Sequence, residues 1–230
     1  MVPLSTVQIK GYTPLHWAAR GGSRDVAELL ISKGADIHSQ DYEKYTPLHW
    51  AARGGSRDVA ELLISKGADI QSQDVWKNTP LHWAAIKGSR DVAELLISKG
   101  ADIHSQDVDK NTPLHWAAYK GSRDVAELLI SKGADIHSQD VDKNTPLHWA
   151  ASGGSRDVAE LLISKGADIH SQDVDGQTAV DRAKGKTKIF LQLIESGVDV
   201  NQASEAANHC DSLMEAEKYI KTAVASLSSN

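Results

Sequence analysis

Thr79-Pro80-Leu81-His82-Trp83-Ala84-Ala85-Ile86-Lys87-Gly88, continued by Ser89-Arg90-Asp91-Val92-Ala93-Glu94-Leu95-Leu96-Ile97-Ser98-Lys99-Gly100, decides the fold. Thr79 is a good helix N-cap, and Pro80 occupies the first helical position, where its missing N–H is not needed. Leu81, Trp83, Ala84 and Ala85 are apolar, and the alanines let a neighbouring helix approach closely. Gly88 stops this helix. Ser89 is expected to cap a second one, with Asp91 in its first turn at the positive end of the helix dipole. Val92, Ala93, Leu95 and Leu96 form an apolar stripe at helical spacing, and Lys99 with Gly100 marks the end. The polar stretch from Asp102 to Asn111 then leads out as an extended hairpin.

This unit recurs without a slip. Thr-Pro-Leu-His begins at Thr13, Thr46, Thr79, Thr112 and Thr145, each 33 residues after the last, and an altered sixth copy begins at Thr178. A helix pair of this size has an apolar face that it cannot bury alone, so the units must stack into one continuous core. Thr-Pro-Leu-His-x-Ala-Ala, Glu-Leu-Leu, Gly-Ala-Asp and the period of 33 resemble the ankyrin repeat. The resemblance implies an all-α solenoid of stacked helix-turn-helix units with β-hairpin loops. Its repeats would begin near residues 8, 41, 74, 107, 140 and 173 and fill residues 8–203, with a C-terminal amphipathic capping helix and tail over 204–230. It also implies a concave surface of hairpin tips and first helices that grips a partner protein, and no catalytic residue. Lys44, Lys77, Lys110 and Lys143 depart from the pattern, standing where the family usually has Gly, as at Gly11 and Gly176. Asn78, Asn111 and Asn144 beside them tolerate positive φ.

The copies differ at few places. From Gly-Ser-Arg-Asp to Gly-Ala-Asp-Ile all five full copies are identical, solvent-facing Arg and Glu positions included, which points to recent tandem duplication or a designed repetitive scaffold. The differences gather in hairpins and at first-helix ends, and they bring in Tyr42, Glu43, Tyr45, Trp76, Ile86, Lys87, Tyr119 and Lys120. Aromatic anchors are enriched at binding hot spots. These eight are the expected partner-binding residues, led by Trp76, which matches no Trp in another copy. Removing the rings of Tyr42, Tyr45, Trp76 and Tyr119 is expected to abolish binding with little change in melting temperature. The recurring Trp17, Trp50, Trp83, Trp116 and Trp149 are expected in the core.

Ten histidines invite a metal reading, but spacing opposes it. Packed helices lie about 8–10 Å apart, whereas two nitrogens on one zinc are only about 4 Å apart. His16, His49, His82, His115 and His148 cannot share an ion, and in the family this His hydrogen-bonds near the hairpin and supports the stack. A second ladder, His38, His104, His137 and His170, interrupted by Gln71, reads as loop hydrogen bonding, with a pH-sensitive or metal-modulated stack as its alternative. With no phosphate loop, no Cys-His pair at helical spacing and no carboxylate dyad apart from the repeated acids, neither an enzyme nor a cofactor nor a metal is expected.

Composition narrows the partner. A formal net charge of -6 repels phosphate backbones, so nucleic acid is not expected. One cysteine, Cys210, cannot form an internal disulfide, no run of about 18 apolar residues occurs, and no leader precedes the first repeat, so a cytoplasmic protein off the membrane is expected. Near-identical arrays resemble those of intracellular bacteria and parasites, in which case the site of action is the host cytosol. The reading is an adaptor that binds a protein. The alternatives are an engineered ankyrin binder or a regulatory ankyrin segment of a larger protein. A monomer is expected, with self-association through the uncapped N-terminal end as its alternative.

Overall fold

The computed structural model describes residues 11–227; the expected first hairpin from Gln8 to Lys10 lies outside them. Five helix pairs follow one another: α1 (Pro14–Gly21) with α2 (Arg24–Ser32), α3 (Pro47–Gly54) with α4 (Arg57–Ser65), α5 (Pro80–Lys87) with α6 (Arg90–Ser98), α7 (Pro113–Lys120) with α8 (Arg123–Ser131), and α9 (Pro146–Gly153) with α10 (Arg156–Ser164). The altered copy supplies the short α11 (Ala179–Arg182) and α12 (Gly185–Glu195). First helices pack on first helices and second on second, the first row more closely. An all-helical repeat solenoid results.

The core repeats with the sequence. Leu48, Leu81 and Leu114 of the first helices and Val59, Val92 and Val125 of the second are fully buried. Each such Leu contributes about 1.5–3 kcal/mol relative to an exposed one. In the first described pair Val26 is 50% and Leu29 58% exposed, where their counterparts Val59 and Leu62 are buried.

Three local expectations change. Among the described residues no strand forms beyond a bridge at Tyr12. The hairpins are tight turns instead, closed by bonds such as Asp107 N to Asn111 O at 3.0 Å and Lys110 N to Asp107 O at 3.1 Å. Neighbouring tips are joined by one bond each, for example Val108 N to Trp76 O at 2.9 Å. The lysines, not the asparagines, take the left-handed backbone, with φ between 61 and 63° at Lys44, Lys77, Lys110 and Lys143. The asparagines face inward, Asn111 Nδ2 donating to Asp107 Oδ2 at 3.0 Å. The serines before the second helices make no side-chain cap. Ser56 and Ser155 turn to the preceding unit and donate to the carbonyls of Arg20 and Tyr119 at 3.3 and 3.2 Å. Gly54 and Gly153 permit that approach, since a Cβ on either would sit 2.2 Å from the same carbonyl oxygen.

The C-terminal segment forms two helices instead of one, α13 (Val200–His209) and α14 (Leu213–Leu227). Asp199 caps α13 by accepting from Asn201 N at 2.7 Å and Gln202 N at 3.1 Å, so the boundary drawn at 203 falls inside a helix. Ser212 opens α14, its hydroxyl accepting from Glu215 N at 3.3 Å while the Glu215 carboxylate accepts from Asp211 N at 3.1 Å. Together α13 and α14 lie on α12 and α10, burying Ala203, Ala206, Ala207 and Ala216. No helix among the described residues is long and apolar enough to cross a membrane.

Candidate functional site

The groove is built from the threonine-histidine pair upward. His82 Nδ1 accepts from Thr79 N at 3.1 Å, which leaves the ring proton on Nε2, and Nε2 donates to the carbonyl of Asn111 in the next hairpin at 3.1 Å. The same pair of bonds recurs from His16 to Tyr45, His49 to Asn78, His115 to Asn144 and His148 to Gln177. Each histidine therefore caps its own helix and ties it to the next unit. Burial holds all five below the usual histidine range, His49 at about 4, because a charged ring would lose both solvent and its acceptor role. The outer ladder behaves differently. His38, His104, His137 and His170 are exposed, with their backbone N–H groups on the preceding Asp, while Gln71 Nε2 reaches Gly100 O of the next unit at 3.1 Å.

The tryptophans are the second course. Trp50, Trp83, Trp116 and Trp149 each donate Nε1–H to the second carboxylate oxygen of the hairpin aspartates Asp41, Asp74, Asp107 and Asp140, at 2.9–3.0 Å. The first oxygen of each Asp accepts backbone N–H groups across the turn, as Asp107 Oδ1 does from Asp109 at 2.9 Å and Asn111 at 2.8 Å. This bond stands the rings against the hairpin row. Only Trp50 is buried; Trp83, Trp116 and Trp149 are half-buried and Trp17 is 53% exposed. The expectation of a tryptophan core holds for Trp50, and Trp83, Trp116 and Trp149 pack against the core while forming an aromatic groove floor.

Cations lie on this floor in the first half of the array. The Arg20 guanidinium lies 5.2 Å from the Trp50 ring, and Arg53 lies 5.1 Å from Trp50 and 5.0 Å from Trp83. Arg20, Arg53, Ile86, Tyr119 and Ser152 occupy one repeat position, three residues after the Trp and hence on its helix face. That spacing was the available signal that the Trp row and the variable row form one surface.

Five of the eight expected contact residues come together. Glu43, Tyr45, Trp76, Ile86 and Lys120 line one cleft of about 510 Å³, with Trp83, Trp116 and Asp109 completing its walls. Tyr119 lines the neighbouring cleft of about 420 Å³, and Lys87 a third with Arg20 and Arg53. Tyr42 lines none of these and stands 79% exposed at the outer tip. Tyr45 departs from the expectation. It is 3% exposed, wedged edge-on against Trp83 at 5.3 Å and Trp50 at 6.1 Å, so its ring is structural and its removal leaves a cavity. Trp76, 44% exposed and 6.3 Å from Tyr45, presents the free face of that cluster. Among the described residues no three metal-ligating side chains converge.

The family model for ankyrin repeats matches in 3 copies, over residues 3–74, 72–140 and 135–204. No curated protein matches the chain. The family is a non-catalytic module whose repeats mediate interactions between proteins. With helix pairs, caps and inter-unit histidine bonds recurring across that span, the chain belongs to the ankyrin repeat family.

Proposed function

We propose that the chain is an adaptor that holds a partner protein in the groove between its hairpin tips and first helices. One observation carries this reading: against an invariant second helix, four of the variable residues, Glu43, Trp76, Ile86 and Lys120, meet in a single cleft with half-exposed tryptophans. Neutral drift would scatter changes over the outer helices as well. The test is capture of binding proteins by the wild type and by Trp76→Ala with Ile86→Ala. The double variant should melt within a few degrees of the wild type and should lose its partner by tenfold or more. Retained binding refutes the reading. A cytosolic setting, with neither nucleic acid nor membrane as partner, fits the charge of -6 and the single cysteine.

In the same reading α13 and α14 serve as the C-terminal cap. Among the described residues the exposed Val26, Leu29 and Trp17 of α1 and α2 support a second contact, because their counterparts in later repeats are buried or half-buried. Light scattering at rising concentration, with Leu29→Asp as control, tests self-association there. A monomer at every concentration removes that alternative.

A further inference from the structure

The two halves of the groove carry their cations differently. In repeats one to three the molecule seats its own guanidinium groups over the tryptophans, Arg20 over Trp50 and Arg53 over Trp50 and Trp83. In repeat four the corresponding position is Tyr119, and among the described residues no basic side chain lies over Trp116 or Trp149. The rings nonetheless pack edge to face into one aromatic surface, Trp116 and Trp149 crossing at 69° with centroids 5.2 Å apart and Tyr119 meeting Trp149 at 75° and 5.5 Å.

Carboxylates line the same cleft. Asp109 and Asp142, both exposed, face the same cleft of about 420 Å³, and among the described residues neither carboxylate has a hydrogen-bond or ion-pair partner. Two positive groups border this cleft, and both are engaged: Arg182, which itself lines it, and Lys120. Lys120 lies over the Tyr119 ring at 5.1 Å, and Arg182 is paired with Asp173. Asp140 is satisfied by Trp149 and Asn144. A cation between aromatic faces and two carboxylates gains both ring attraction and charge pairing.

We infer that the cleft between repeats four and five takes an arginine or lysine side chain of the partner, as the first half of the groove takes its own arginines. This rests on the adaptor reading and deepens it, naming a partner with a basic segment. The anchor lies on the groove surface of the Trp116, Tyr119 and Trp149 cluster, and Asp109 and Asp142 select its charge.

A synthetic peptide with three arginines spaced by Gly-Ser, its citrulline counterpart and its glutamate counterpart are titrated into the full chain, following the indole N–H signals by NMR. The arginine peptide should shift Trp116 and Trp149 and bind at least tenfold tighter than the neutral citrulline peptide. Asp109→Asn with Asp142→Asn should weaken it about tenfold, whereas Asp175→Asn, on the same hairpin row outside the cleft, should change it less than twofold. Tyr119→Arg, which copies the seat of Arg53, should abolish binding and leave the melting temperature within a few degrees. Equal binding of citrulline or glutamate peptide, no shift at Trp116 and Trp149, or an equal effect of Asp175→Asn overturns the inference. The adaptor reading stands or falls separately, on partner capture by Trp76→Ala with Ile86→Ala.

Discussion

The fifth repeat and the sixth begin alike and then part. In the fifth, Thr145 and His148 form the cap, and His148 reaches on to Gln177 O at 3.1 Å; in the sixth, Thr178 N and its hydroxyl donate to Asp181 at 2.8 and 3.0 Å, and the short carboxylate goes no further. The fifth gives Trp149 Nε1–H to Asp140, while the sixth sets Arg182 against Asp173. Burial alone would raise the Asp173 carboxyl, but the N–H groups of Gln177 and Asp175 and the Arg182 guanidinium hold it below its ordinary value. The difference separates two duties that the invariant histidine combines. Capping its own helix is local and Asp performs it equally well. Tying the next hairpin needs a neutral ring with a second nitrogen, and only interior repeats need it.

Acid should break this comparison most strongly. The five histidines have folded pKa values lowered by burial, so their stabilisation is complete above the unfolded value of about 6.5 and is lost as pH falls through the folded value, which for His49 is about 4. At pH 5, His49 alone then contributes roughly 2 kcal/mol less than at pH 7, and its counterparts act in the same direction. The Thr178 bonds hold the Asp181 carboxyl below its ordinary value, so its cap survives until the medium is far more acidic. The urea midpoint should fall steeply between pH 7 and pH 5. A flat profile would show that the histidines carry no coupling.

A narrower break copies the terminal residue into the interior. His115→Asp keeps a cap for Thr112 but leaves Asn144 O without its donor and places a carboxylate, fully buried, near Asp107 and Asp140. An uncompensated buried charge costs roughly 3–5 kcal/mol. Because each repeat contacts only its neighbours, the loss should split unfolding into two transitions. Asp181→His should leave the single transition within about 0.5 kcal/mol of wild type. If the two substitutions cost the same, the second duty of the histidine does not exist.

Much of this was legible in the residues. The period, the Thr-Pro starts and the Gly stops are local signals, and they placed the five helix pairs. The break between α13 and α14 was also written, as Ser212 followed three residues later by Glu215, a capping box inside what reads as one apolar stripe. The burial of Tyr45 was not legible, because it depends on Trp50 and Trp83 converging from two different repeats. Gly153 in place of Lys120 read as surface variation for a related reason: only the packed helices reveal the Tyr119 carbonyl lying where a Cβ would be.

The smallest effect compares the hairpins themselves. Lys143 and Gly176 occupy the same turn position with φ of 62 and 73°, and each donates its N–H to the carbonyl of the turn aspartate at 3.1 Å. A side chain in the left-handed region costs roughly 1–2 kcal/mol, and a glycine gives back about 0.5–1 kcal/mol through the freedom of its unfolded chain. Lys143 is exposed, so removing its side chain sacrifices no packing. Lys143→Gly should therefore stabilise the array by about 0.5–1 kcal/mol, raising the melting temperature by roughly 1–4 °C in a chain of this size. Gly176→Lys should lower it by a similar amount. A loss of stability in Lys143→Gly would mean that the lysine side chain contributes to the turn, and the two hairpins would then differ in more than their backbone strain.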